Sequence, residues 1–177
     1  MEDKLRNQKF DLTSNVAIVT GGAGLLGFEH AYCLTTAGAV VYLADINKKK
    51  CEQISKKIGK NCLPIYMDVS NEESVKEVSN FIFKQYKRID ILINNAAINP
   101  SIKKNSDSKF SRLENFKLSD WSNEINVGLT GSFLCSKYFG SIMASLNKGV
   151  ILNIASDLSV IAPSQDLYKL PNVKDKE

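Results

Sequence analysis

The sequence predicts an α/β protein: one parallel sheet, doubly wound, with helices on both faces. Three observations carry this. Five short runs are apolar throughout rather than alternating, as strands buried on both faces must be. Segments with helical spacing of apolar groups separate them. The 177 residues, 44% of them hydrophobic and 24% charged, suit one globular domain with a real core, spanning residues 1–177. Right-handed crossovers between parallel strands then give three layers, α/β/α.

The elements follow in order. VAIVT (16–20) is β-branched and apolar, a strand. LLGFEHAYCLTTAG (25–38) has helical spacing and ends on Gly38, a stop residue. VVYLAD (40–45) is the second strand. KKKCEQISKKIG (48–59) is an amphipathic helix with Cys51, Ile54 and Ile58 on one face. LPIYMD (63–68) is the third strand. Ser70 to Glu73 reads as a capping box opening a helix through about Tyr86. IDILIN (89–94) is the fourth strand, and the polar stretch from Asn99 to Lys117 is a long loop. One helix is predicted from about Ser119 to Leu146, and GVILNIA (149–155) is the fifth strand.

Composition narrows the function. No apolar run approaches the ~20 residues that cross a bilayer. The polar start MEDKLRNQKFDL lacks the apolar core of a secretory signal, so a cytoplasmic protein is the expectation. The net charge of +4 is spread without a dense basic run, which argues against nucleic-acid binding. Four cysteines (Cys33, Cys51, Cys62, Cys135) form no CxxC pair, and His30 is the only histidine. No metal site is expected.

In such folds ligands sit at the carboxyl ends of the strands. Those ends read TGG, AD, MDV, NNAA and IAS. TGGAGLLG (20–27) joins the first strand to the first helix. Gly21 and Gly24 allow a tight turn and a close approach of a pyrophosphate to the backbone. The phosphates would meet the free N–H groups at the start of the helix, near Leu25 and Leu26, while Gly27 lets that helix pack on the sheet. Asp45 ends the second strand, 18 residues after Gly27. A carboxylate there accepts from both ribose hydroxyls and repels a 2′-phosphate, which favours NAD over NADP. Ile46 and Asn47 follow it, although Lys48, Lys49 and Lys50 can screen a phosphate. The plainer alternative for Asp45 is a helix cap. Asp68 is placed to bind the adenine amino group with Val69 against the ring, or else simply to start the next helix. Asn94 and Asn95 can tie strand ends together, and Ala96 and Ala97 leave room for a ribose.

Taken together, VAIVTGGAGLLG, Asp45, MDV, NNAA, INVGLTGSF (125–133) and NIAS (153–156) resemble the short-chain dehydrogenase/reductase family, compact oxidoreductase branch. The resemblance implies a Rossmann-like fold and an enzyme that uses NAD or NADP to interconvert an alcohol and a ketone. Leu25 departs from it, because the compact branch usually has glycine or alanine there. The Gly21, Gly24, Gly27 spacing is instead similar to the extended branch of nucleotide-sugar epimerases and dehydratases. HAYCL, ENFKLSDW, GSFLCSKYFGSIMA and NIASDLSVIAP further resemble oxidoreductases of flagellin-glycosylation and nonulosonic-acid pathways, which implies a sugar or nucleotide-sugar substrate.

The resemblance also implies catalytic roles. Asn126 matches the asparagine that holds a water in the proton relay, and Ser156 the serine that orients the substrate carbonyl. The family's proton donor is a tyrosine followed by a lysine four residues on, one helical turn away. Tyr168 does not qualify: Asn172 stands four residues later, and Pro171 interrupts any helix. On this comparison the chain reads as the N-terminal two-thirds of an enzyme whose Tyr-x-x-x-Lys helix and last strands lie beyond it. Little turnover is then expected of the chain alone, an uncovered apolar face is expected along the fifth strand, and the full-length form is expected to be a homo-oligomer. Competing readings are a non-catalytic dinucleotide-binding module and an extended-branch epimerase.

Overall fold

The structure is a computed structural model and describes residues 10–98, 113–157 and 160–161. Five strands form one sheet: β1 (Val16–Thr20), β2 (Val40–Asp45), β3 (Cys62–Tyr66), β4 (Ile91–Asn94) and β5 (Val150–Asn153). All four pairings are parallel, in the order β3-β2-β1-β4-β5. The chain builds outward from β1 in one direction, then crosses back to build outward in the other. The order therefore reverses between β1 and β4, a topological switch point whose strand ends diverge into a crevice.

Among the described residues five α-helices connect the strands: α1 (Leu25–Thr36), α2 (Lys48–Ile58), α3 (Glu72–Tyr86), α4 (Leu118–Ile125) and α5 (Gly131–Ser145). Successive residues of β1 feed two cores, one on each side of the sheet, as a period of two requires. Val16 and Ile18 join Tyr42, Leu92, Val75, Ile82 and Phe139 beneath α3 and α5. Ala17 and Val19 join Val41, Leu43, Ala31 and Cys51 beneath α1 and α2. Cys51 is buried, and Ile54 and Ile58 pack at the edge of that second core, which is the predicted amphipathic face of α2.

Several local features differ from expectation. The α3 cap is Asn71, whose side chain accepts from the Ser74 N–H. Ser70 is instead held by Asp68, whose Oδ1 accepts from both the Ser70 N–H (2.9 Å) and hydroxyl (2.7 Å). The turn after β3 thus recruits the serine, and the cap moves one residue on. The long helix expected over 119–146 is three segments, with a π-turn at Asn126–Thr130 between α4 and α5. Glycines at 128 and 131 weaken the α-helical preference there, and the Ser132 hydroxyl donates to the Gly128 carbonyl (2.7 Å), supporting the widened turn. The loop expected over 99–117 lies largely outside the described residues, its end forming a 3-10 turn at Leu113–Asn115.

β5 is an edge of the described sheet. Ile151 meets α5, but Val150, Leu152 and Ile154 on its other face are 57%, 47% and 39% exposed. Under β1, β2 and β4 that same layer is apolar and closed. No helix among the described residues is long and apolar enough to cross a membrane.

Candidate nucleotide site at the switch point

A cleft of about 290 Å³ opens at the carboxyl ends of the strands. Gly21 contributes from the end of β1, Asp45 and Ile46 from β2, Met67 to Ser70 from β3, and Ala96 to Ile98 from β4. Asn123 and Val127 form its helical wall. It therefore gathers the TGG, AD, MDV and NNAA ends into one place. A shallower, more open depression near Ser55, Lys56 and Gly59 lies at the other end of β3, away from these groups.

The floor is a crossed set of hydrogen bonds between β1 and β4. Thr20, 1% exposed, donates from its hydroxyl to the Ile93 carbonyl (3.3 Å) and accepts from the Asn95 and Ala96 N–H groups (3.0 Å each). Asn95 returns the tie, its Nδ2 donating to the carbonyls of Thr20 (2.9 Å) and Gly21 (3.3 Å). The expected strand-tying role of the two asparagines is thus divided. Asn94, also buried, reaches the other way: its Nδ2 donates to Asn153 Oδ1 (2.7 Å) at the end of β5 and to Ser136 Oγ (3.1 Å) on α5.

The glycine turn is built by contact. Gly21 has φ +64°, and a Cβ there would lie 2.8 Å from the Ala96 Cα. A Cβ on Gly27 would lie 2.4 Å from the Gly21 carbonyl, so this glycine sets how closely α1 approaches the turn. Gly24 is the α1 N-cap and supplies no side-chain hydrogen bond, and the first turn of α1 holds no acid. The start of α1 is left with free N–H groups facing outward from the turn. Leu25 and Leu26 are 81% and 53% exposed there.

Asp45 is tied to that turn. Its Oδ2 accepts from the Ala23 N–H (3.0 Å) and its Oδ1 from the Asn47 N–H (2.8 Å). The α2 cap is Asn47, accepting from the Lys50 N–H, so Asp45 does not serve as that cap. At β3, Asp68 leaves one oxygen free of Ser70, and Val69 packs against Gly131, where a Cβ would lie 2.8 Å from Val69 Cγ2.

The residues expected to do chemistry are more scattered. Asn126 begins the π-turn; it and Asn123 are both exposed, but only Asn123 and the half-buried Val127 border the cleft. Ser156 follows β5, is exposed, and donates to Asp157 Oδ1 (3.1 Å). It lies on the same edge of the sheet, outside the cleft wall. Tyr168 lies outside the described residues. Sequence reasoning passed over Thr20, Asn123 and Val127. A threonine closing an apolar strand was a usable signal, whereas Asn123 has none in a linear reading.

A family model described as "short chain dehydrogenase" matches residues 15–168. The chain belongs to this family. It is 36% identical over 148 residues to the uncharacterized oxidoreductase YxjF of Bacillus subtilis, covering 82% of this chain and 54% of that protein. It is 31% identical over 157 residues to an NAD-dependent glycerol dehydrogenase of Listeria innocua, covering 88% and 58%. Among solved structures, NAD+-bound xylitol dehydrogenase superposes with TM-score 0.76 at 25% identity, over 85% of this chain and 56% of that one. The chain thus spans a little over half the length of these proteins.

Proposed function

We propose that this chain is the cofactor-binding part of an NAD-dependent oxidoreductase that interconverts an alcohol and a ketone on a sugar, sugar alcohol or nucleotide-sugar. The observation that carries the reading is the Asp45 carboxylate, fastened to the Ala23 N–H of a turn in which Gly21 and Gly27 leave no room for a Cβ. A diphosphate fits the uncapped start of α1, with Gly21, Gly24, Leu26 and Gly27 presenting backbone to it. Asp45, held by two backbone donors and so already oriented, accepts from the adenosine ribose hydroxyls. Asp68 and Val69 receive the adenine, and Asn94 and Ala96 form the back wall for the second ribose.

NAD supplies the hydride chemistry when bound; the chain supplies orientation and part of the proton path. The Ser156 hydroxyl donates to the substrate carbonyl and so favours charge developing on oxygen. Asn126 holds a water for proton delivery. No tyrosine of the 177 residues is followed by lysine four positions on, so the chain by itself is proposed to bind the dinucleotide and turn over little. A second reading is a dinucleotide-binding module without catalysis, which shares Gly21, Gly24, Gly27 and Asp45 and needs no proton relay. NAD rather than NADP, and a polyhydroxylated substrate, are supported by similarity to proteins described as NAD-dependent glycerol dehydrogenase, D-threitol dehydrogenase and NAD+-bound xylitol dehydrogenase.

The test is NADH fluorescence titration of the folded chain, alone and as Asp45→Ala. Saturable binding is expected, weakened about tenfold to a hundredfold in the variant, since hydrogen bonds to a charged group contribute about 1.5–3 kcal/mol. A folded chain that binds no NADH removes the assignment. Turnover by a longer protein carrying a Tyr-x-x-x-Lys helix, or its absence, separates enzyme from module.

A further inference from the structure

One polar side chain at the cleft, Asn123, has no role in the reading above. Asn123 lines it one helical turn before Val127, on the same face of the helix. Its carboxamide is exposed and makes no hydrogen bond among the described residues, whereas Asp45 is already oriented by two N–H groups and one oxygen of Asp68 by the Ser70 N–H and hydroxyl. Asparagine is a poor helix former, and here it sits inside α4 (Leu118–Ile125) with no backbone partner to compensate. Local disfavour at a ligand-facing position is the pattern expected of a residue kept for binding.

We infer that Asn123 reads the base of the bound dinucleotide, its Oδ1 accepting from the adenine N6 amino group and its Nδ2 donating to N7. The inference rests on the NAD reading of this cleft. A carboxamide carries one acceptor and one donor group side by side, matching the N6/N7 edge of adenine. Asp68 has a free oxygen for the other amino hydrogen, so the two side chains share the amino group without competing. Guanine and hypoxanthine place two acceptors, O6 and N7, on that same edge. Asn123 Oδ1 would face one of them with no proton between. The cleft would therefore select adenine dinucleotides over their hypoxanthine and guanine analogues.

The test compares NADH with reduced nicotinamide hypoxanthine dinucleotide by calorimetry, on the full chain and on Asn123→Ala and Asn123→Leu. Both replacements favour helix, and circular dichroism checks that α4 is kept. Wild type is expected to prefer NADH on the order of tenfold. Each variant is expected to lose NADH affinity while binding the analogue about as before, so the ratio falls, with Asp68 keeping it somewhat above one. Equal binding of the two by wild type, or an undiminished preference in both variants, overturns the role of Asn123. A folded chain that binds neither dinucleotide overturns the NAD reading, and this inference with it.

Discussion

Replacing Thr20 by valine removes one hydroxyl and leaves the shape of the side chain almost unchanged. That hydroxyl accepts from two N–H groups, Asn95 and Ala96, at 3.0 Å each, and donates to the Ile93 carbonyl at 3.3 Å. Two donors and one acceptor lose their partner together. A buried polar group left unpaired costs about 1–3 kcal/mol. The Asn95 and Ala96 backbones are only half-buried and border the cleft, so water recovers part of that. The expected loss is about 2 kcal/mol, at the lower end for two orphaned donors. For a chain of this size that lowers Tm by about 4–8 °C. The same change frees the Ala96 backbone, against which Gly21 packs, and is expected to weaken NADH binding as well. Thr20→Ser keeps the hydroxyl and should restore most of the binding while losing the methyl group's packing. Thermal unfolding by circular dichroism gives the first quantity and fluorescence titration the second. A Thr20→Val protein within about 0.5 kcal/mol of wild type, binding NADH equally well, would show that the crossed ties do not hold the floor of the cleft.

Two further outcomes are expected. Burial pushes the Asp90 carboxyl up, but the Arg88 side chain (2.6 and 2.7 Å), the Val16 N–H (2.9 Å) and the charge of Lys148 outweigh it, and the folded value is lowered. A depressed carboxylate contributes stability above its unfolded value of about 3.9 and loses it as pH falls through the folded value. Tm measured from pH 7 down to pH 3 should therefore fall less steeply in Asp90→Asn, which starts lower; parallel curves would refute the role. Burial, followed by the charges of Asp45 and Cys62, pushes the Cys51 thiol up to about 12, and burial alone does the same to Cys135. Cys62 is buried and also raised, whereas Cys33 is exposed. A thiol reagent at pH 8 should modify Cys33 quickly and the other three only on unfolding, which mass mapping resolves.

The local order of the chain was legible because each element depends on near neighbours. A short β-branched apolar run such as VAIVT, followed at once by a glycine turn, favours a doubly buried strand, and TGGAGLLG turns tightly because Cβ atoms are absent where the chain needs room. Spacing alone located Gly21 and Asp45 at strand ends and Gly27 in the first turn of α1. Contacts across the fold were not written in any spacing. Gly131, next after the π-turn at Asn126–Thr130, lies against Val69 at the end of a distant strand, where a Cβ would come within 2.8 Å of Val69 Cγ2. That Asn123 and Val127 rather than Asn126 line the cleft is visible only once this helix lies beside the strand ends. The capping residue of α3 moved from Ser70 to Asn71 because Asp68, two residues before the serine, competed for it. Periodicity and turn chemistry thus determined which segments are strands and helices and which loop is rich in glycine. Only the folded sheet decided which of the groups at its carboxyl edge meet, because residues 20 and 95, or 94 and 153, become neighbours solely through the pairing of parallel strands.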